Sequence, residues 1–359
     1  MSTLFLIGNG FDINCGMKTK YTDVYKKYIN EESGSAVIKK FKESIAADFA
    51  TWGDFEMAMA EYAQKLNGEA EFLECIRDFA KYMEQHLSEE NNRLKQLLKD
   101  ENVLMAVVKE MERSFKTFYT DISHNIDVIM EKRHATHFMG LRAISFNYTN
   151  IFDILWKEIL KHVINDESVT HIHGVLQDGP VLGVDNVDQI NANYELTRKG
   201  KRGFVKPVFN SAYDEQRVVE AKQKIKNAST ICAYGISLGN SDLSWRNEII
   251  EWLKADKGHH LFVYMYKFSK EKYFTVTEKL DIEDDAKEQL LSEWEIENPN
   301  ELFDQIHIPC GKNIFNVENV LKEEMQKSEE RKQLELQKRI EKGEKFVQQN
   351  GQKVILTKL

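Results

Sequence analysis

At 359 residues, with 42% hydrophobic and 11% aromatic residues, the chain can bury one large core, or one core carrying a sizeable insertion, and is not a disordered protein. A formal charge of −9 and a pI near 5.7 argue against a dedicated nucleic-acid surface, so a small anionic ligand would need backbone N–H groups or local Arg and Lys. The start, MSTLFLIG, lacks the length and the basic flank of a signal segment, and no stretch approaches the roughly 20 apolar residues of a membrane span, so a cytoplasmic protein is expected.

Residues 3–7 read as a buried strand that runs into Gly8-Asn9-Gly10-Phe11-Asp12. Residues 21–134 are rich in Glu, Lys, Met, Ala and Leu and nearly free of Gly and Pro. That length is no simple crossover; it predicts several helices on one side of the sheet, placed as a lid over its carboxyl edge. Further strands are expected at 143–146, 169–172, 230–234 and 261–266, with helices at 151–162, 215–227 and 243–255. Strands alternating with helices predict an α/β class, a Rossmann-like parallel sheet with a large helical insertion. From 317 to 349 the chain is charged and helix-favouring, a solvated or partner-binding C-terminal helix. The expected division is a nucleotide-binding core at 1–20 and 135–316, the insertion at 21–134, and a charged helical segment at 317–359. Cys15, Cys75, Cys232 and Cys310 include no C-x-x-C pair, which predicts reduced, mostly buried thiols with neither zinc nor a disulfide.

The candidate chemistry sits at strand ends. Gly8 and Gly10 allow a close backbone approach to a phosphate, or else make a tight turn that binds nothing. Asn147 follows the second strand; Thr149 or Asn150 is the more natural cap of the next helix, which leaves Asn147 for a ligand or a water. In His171-Ile172-His173-Gly174, strand alternation would put both imidazoles on one face. No third ligand accompanies them as a metal site would need, so His173 reads as a base facing a cleft and His171 as core. Asp185 after the run 181–184, and Gly235, Ser237 and Asp242 after the fourth strand, complete the set, with Ser241 or Asp242 also suited to capping 243–255. Four polar strand ends would converge on one edge of a parallel sheet, the usual place for a ligand in such folds.

LFLIGNGFD, KTKYTDVY, WGDFE at 52–56, SFNYTN, HIHG and YGISLGNSD together resemble the AbiH-type family of bacterial abortive-infection proteins over residues 4 to about 242. The order of signals is also similar to the sirtuin-like domains of phage-defence NAD hydrolases. That resemblance implies catalytic roles for Asn147 and His173. It further implies nucleotide contacts from Gly8, Asn9, Gly10, Phe11, Asp12, Asp185, Gly235, Ser237 and Asp242, with NAD as substrate or ligand and no metal. The paired zinc cysteines of sirtuin deacetylases are missing, which argues against deacetylation, and Thr149 stands where the resemblance expects an acid. The expected activity is hydrolysis of NAD at the nicotinamide–ribose bond; the alternative is a non-catalytic NAD or nucleotide sensor. A phage-derived trigger, a defence partner or a second copy of the chain are the expected partners, with no membrane. Nucleic-acid cleavage or binding lacks a carboxylate cluster and a basic stripe.

Overall fold

The computed structural model describes residues 2–120, 122, 124–134, 140–161, 168–213, 215–265, 272–273, 275–341, 345–349 and 352–356. His162 and Tyr266, expected at the ends of a helix and a strand, lie outside the described residues.

Six strands, β1 (Thr3–Ile7), β2 (Leu141–Ser145), β3 (Thr170–His171), β4 (Thr230–Tyr234), β5 (His260–Tyr264) and β6 (Ile306–His307), form one sheet in the order β3-β2-β1-β4-β5-β6. Every pairing is parallel. The order reverses between β1 and β4, and such a switch leaves a crevice beyond the carboxyl ends of the strands where doubly wound folds bind ligands. The register sets the crevice: Ile7 pairs with Ser145 on one side and Tyr234 on the other, so Gly8, Phe146 and Gly235 leave the sheet together.

Alternation along the strands divides the core in two. Phe5, Ile7, Cys232, Tyr234, Phe262 and Tyr264 face the helices Glu101–Thr117 and Ile151–Leu160 and the first turns of Val317–Glu341. Leu4, Leu6, Ile231, Ala233, Leu261 and Val263 face Glu215–Lys226, Leu243–Ala255 and Val276–Glu293. Burial on both faces explains why these strands read as continuous apolar runs. The insertion builds a third core of its own from Tyr21–Tyr28, Ala36–Ala47, Phe55–Tyr62 and the first half of Glu69–Leu97, closed by Leu176, Leu182, Val184, Phe204 and Val205. The far end of Glu69–Leu97 joins the sheet core through Leu94, which ties the two layers together.

Three expectations are corrected. β6 had no sequence signal, because a two-residue strand is too short to show alternation. The C-terminal helix ends at Glu341, and Lys345–Gln349 pairs antiparallel with Gln352–Leu356; in the sequence the apolar pairs Phe346-Val347 and Val354-Ile355 flank Asn350-Gly351, a hairpin signal that the charged run before them obscured. β3 stops at His171, so strand alternation does not reach His173. The four cysteines are buried, free thiols. No helix among the described residues is long and apolar enough to cross a membrane.

Candidate functional site

Beyond the carboxyl ends of β1, β2 and β4 lies a cavity of about 410 Å3, within the size range of small-molecule sites, about 300 to 1,000 Å3. Gly8, Asn9 and Asp12 line it from the first turn, Asn147, Tyr148 and Thr149 from the second, and His173 from the third. Gly235, Ser237 and Asp242 come from the fourth, and Tyr21, Glu56, Met83 and Leu87 from the insertion. The insertion therefore covers the sheet edge, as its length suggested.

The Gly-x-Gly turn serves packing. The Gly8 N–H donates to the Tyr234 carbonyl and the Gly10 N–H to the Gly235 carbonyl, each at 2.9 Å. A Cβ on Gly10 would stand 2.4 Å from the Gly235 Cα, and one on Gly8 2.5 Å from the Gly235 oxygen. Two backbone turns touch here, and only glycine admits that approach. The Gly10 N–H is consequently spent inside the protein rather than held out to a phosphate.

Asn147 is fixed by its backbone and free at its side chain. Its N–H donates to the Ser145 hydroxyl at 3.1 Å, and His171 Nδ1 donates to its carbonyl at 2.9 Å. His171 Nε2 lies 2.9 Å from Asp153 on the helix Ile151–Leu160. Burial lowers the His171 pKa, but Asp153 and the Asn147 carbonyl outweigh it and raise it overall. A ring that donates from both nitrogens is an imidazolium, so His171 is a charged post beneath Asn147 rather than a plain core residue. Both amide atoms of Asn147 are buried without a hydrogen-bond partner.

Next to it, Thr149 Oγ1 donates to Asp12 Oδ2 at 2.6 Å, while Asp12 Oδ1 is buried and unpartnered. Burial raises the Asp12 carboxyl from 3.8 to about 7, against the easing effect of Thr149 and of the neighbouring Asn147 amide. Thr149 and Asn150 do not cap the following helix, which has no side-chain cap.

On the third strand end, His173 Nε2 lies 3.0 Å from Asp242 Oδ1 without the alignment of a hydrogen bond. Burial and the Lys206 ammonium lower the His173 pKa, so the ring is neutral at neutral pH. Lys206 is itself buried, donating to Asp242 Oδ1 at 2.8 Å and to the Ser241 carbonyl at 2.9 Å. Burial disfavours both charges, yet each holds the other: Asp242 stays well below the usual carboxylate range and Lys206 above its ordinary value. Glu56 accepts from the Tyr21 hydroxyl at 2.9 Å, and burial raises its carboxyl to about 7 against the pull of Lys206.

Of the residues expected from sequence, Gly8, Asn9, Asp12, Asn147, His173, Gly235, Ser237 and Asp242 meet at this cavity, and Gly10, Phe11 and Asp185 are outside its lining. The Phe11 ring is wholly buried, edge-on to Phe152 and Phe315. Asp185 accepts from the Ser244 hydroxyl at 2.9 Å and from its backbone N–H, and so takes the capping role expected of Ser241 or Asp242. Sequence reasoning gave no role to Lys206, Glu56 or Tyr21, although Glu56 closes the WGDFE run. Among the described residues, no three His, Cys, Asp or Glu side chains gather as a metal-binding group.

No curated protein sequence matches the chain. A family model described as bacteriophage abortive infection AbiH matches residues 4–264, from the first residues of β1 to the last residue of β5, and so takes in every strand end and insertion helix that lines the cavity. The chain belongs to the bacteriophage abortive infection AbiH family.

Proposed function

We propose that the cavity binds NAD and cleaves its nicotinamide–ribose bond, removing a cofactor that an infected cell needs. The observation that carries this reading is the set of buried, unpartnered polar atoms, Asp12 Oδ1, both amide atoms of Asn147 and His173 Nε2, around one cavity at the switch point of the sheet. Buried polar groups are nearly always satisfied, so four orphans around one space favour a ligand that satisfies them. The charge balance favours a cation: Asp12, Asp54, Glu56 and Asp242 line the cavity against the ammoniums of Lys20 and Lys206. The pyridinium of NAD is such a cation, and as the bond breaks the positive charge moves to the ribose without leaving these carboxyls.

In this reading water attacks the ribose C1′, the electron pair of the C1′–N bond passes to the ring nitrogen, and neutral nicotinamide leaves. Neutral His173 takes the water's proton, a general-base role worth about 10²- to 10⁴-fold. Asn147, held from behind by His171, orients the water or the ribose. The test is incubation of the purified protein with NAD and chromatographic measurement of nicotinamide. Release that falls by two or more orders of magnitude in His173→Ala, with a modest loss of affinity, supports the reading. Binding without release in the wild type would instead identify a sensor.

A further inference from the structure

The cavity holds two polar groups of different character. His173, Asp242, Lys206, Glu56 and Tyr21 are linked by hydrogen bonds and charge. Asp12 and Asn147 are different: they lie side by side at the sheet edge, fixed from behind by Thr149, Ser145 and His171, close enough for the amide to ease the carboxyl, and three buried atoms between them have no well-aligned partner. Those atoms are the acceptor Oδ1 of Asp12, the acceptor Oδ1 of Asn147 and the donor Nδ2 of Asn147. A phosphate offers only acceptors and would meet a carboxyl, so it does not match. A pair of adjacent hydroxyls does, because each can donate to one acceptor while one of them accepts from the amide. A flat carboxamide-bearing ring could offer similar atoms and would find apolar walls in Phe146, Ile236, Met83 and Leu87, so the base is the competing occupant that the acetyl probe below separates from the ribose.

We infer that Asp12 and Asn147 form a clamp for the cis-diol of a ribose, so that the site takes ribonucleotides and rejects their 2′-deoxy counterparts. The clamp rests on the nucleotide reading above and specifies which part of the nucleotide these two residues hold. Thr149 is a positioning residue here, since its hydroxyl sets the Asp12 carboxyl with Oδ1 free.

The experiment measures binding by calorimetry on the His173→Ala variant, so that ligand is not consumed. Three probes are compared: NAD, NAD lacking the 2′-hydroxyl of the nicotinamide ribose, and NAD with an acetyl group in place of the carboxamide. The clamp predicts a 10- to 100-fold loss for the deoxy probe, the worth of about one hydrogen bond to a charged group, and a loss below about threefold for the acetyl probe. Asp12→Ala should erase most of the deoxy discrimination. Where that variant fails to fold, Asp12→Ala/Thr149→Val, which leaves no orphaned hydroxyl, is read in its place. Equal binding of NAD and the deoxy probe overturns the clamp and leaves the nucleotide reading intact. A loss confined to the acetyl probe also overturns it, in favour of the base. Failure of NAD to bind at all overturns both.

Discussion

Burying the Asp12 carboxyl costs stability, and the cost has a signature in pH. Its ordinary value is 3.8 and burial raises it to about 7, so the ionised folded state carries a penalty of about 4 kcal/mol at about 1.4 kcal/mol per tenfold change in proton affinity. The folded chain holds more protons than the unfolded chain between about pH 4 and pH 7. Wild-type stability is therefore lost through that window and the penalty is constant above it. Asp12→Asn removes the titration and keeps an acceptor for Thr149, at the loss of about 1 kcal/mol for a weaker hydrogen bond. The net gain is then about 3 kcal/mol at pH 8 and well under 1 kcal/mol at pH 5. At an unfolding entropy of about 2.1 cal/mol/K per residue, this corresponds to a Tm advantage of about 4 °C at pH 8 and below about 1 °C at pH 5. Thermal unfolding of both proteins in a buffer series without nucleotide reads this directly. An offset that does not change between pH 5 and pH 8, or one that shrinks as the pH rises, refutes the assignment of a buried, strained carboxyl.

Lys206→Met leaves Asp242 without its cation and should cost about 3 to 5 kcal/mol, a Tm drop of about 4 to 7 °C; adding Asp242→Asn should recover part of it, and a drop under about 1 °C from the single change would deny the ion pair its structural weight. Gly10→Ala, whose Cβ would meet the Gly235 backbone, should lower stability by about 3 kcal/mol or more in urea denaturation, while Gly34→Ala, which meets nothing within 4 Å, should stay within about 1 kcal/mol of wild type. If the cavity hydrolyses NAD, Asn147→Ala should lower kcat by at least about tenfold in addition to weakening nucleotide binding, because a misplaced ribose or water costs rate beyond what it costs ground-state binding; a loss of affinity with kcat unchanged would make Asn147 a binding residue only.

The central sheet and the convergence of its strand ends were legible because β1, β2, β4 and β5 are buried on both faces and write apolar runs, with the polar or small residue that ends each standing just beyond. Roles at those ends were less legible, because residue type names a capacity and the partner decides its use. Gly10 has the freedom a phosphate turn requires, yet Gly235, more than two hundred residues away, takes both its space and its N–H. Asp185 and Asp242 are both acids near the start of the same helix, and the isolated bridge of Val184 to Val205 sends the first to Ser244 while Lys206 draws the second into the cavity. Lys206 and Glu56 look like solvated charges in a chain that is 30% charged. Both are buried, Glu56 on an insertion helix and Lys206 at the start of the helix Lys206–Tyr213. A lysine kept in such a place needs a carboxylate, and Asp242 supplies it at 2.8 Å. Burial first and the Lys206 ammonium second keep His173 neutral against the opposing pull of Asp242. Glu56, carried by the insertion, helps hold the Lys206 charge, so the insertion is part of the site's chemistry as well as its lid.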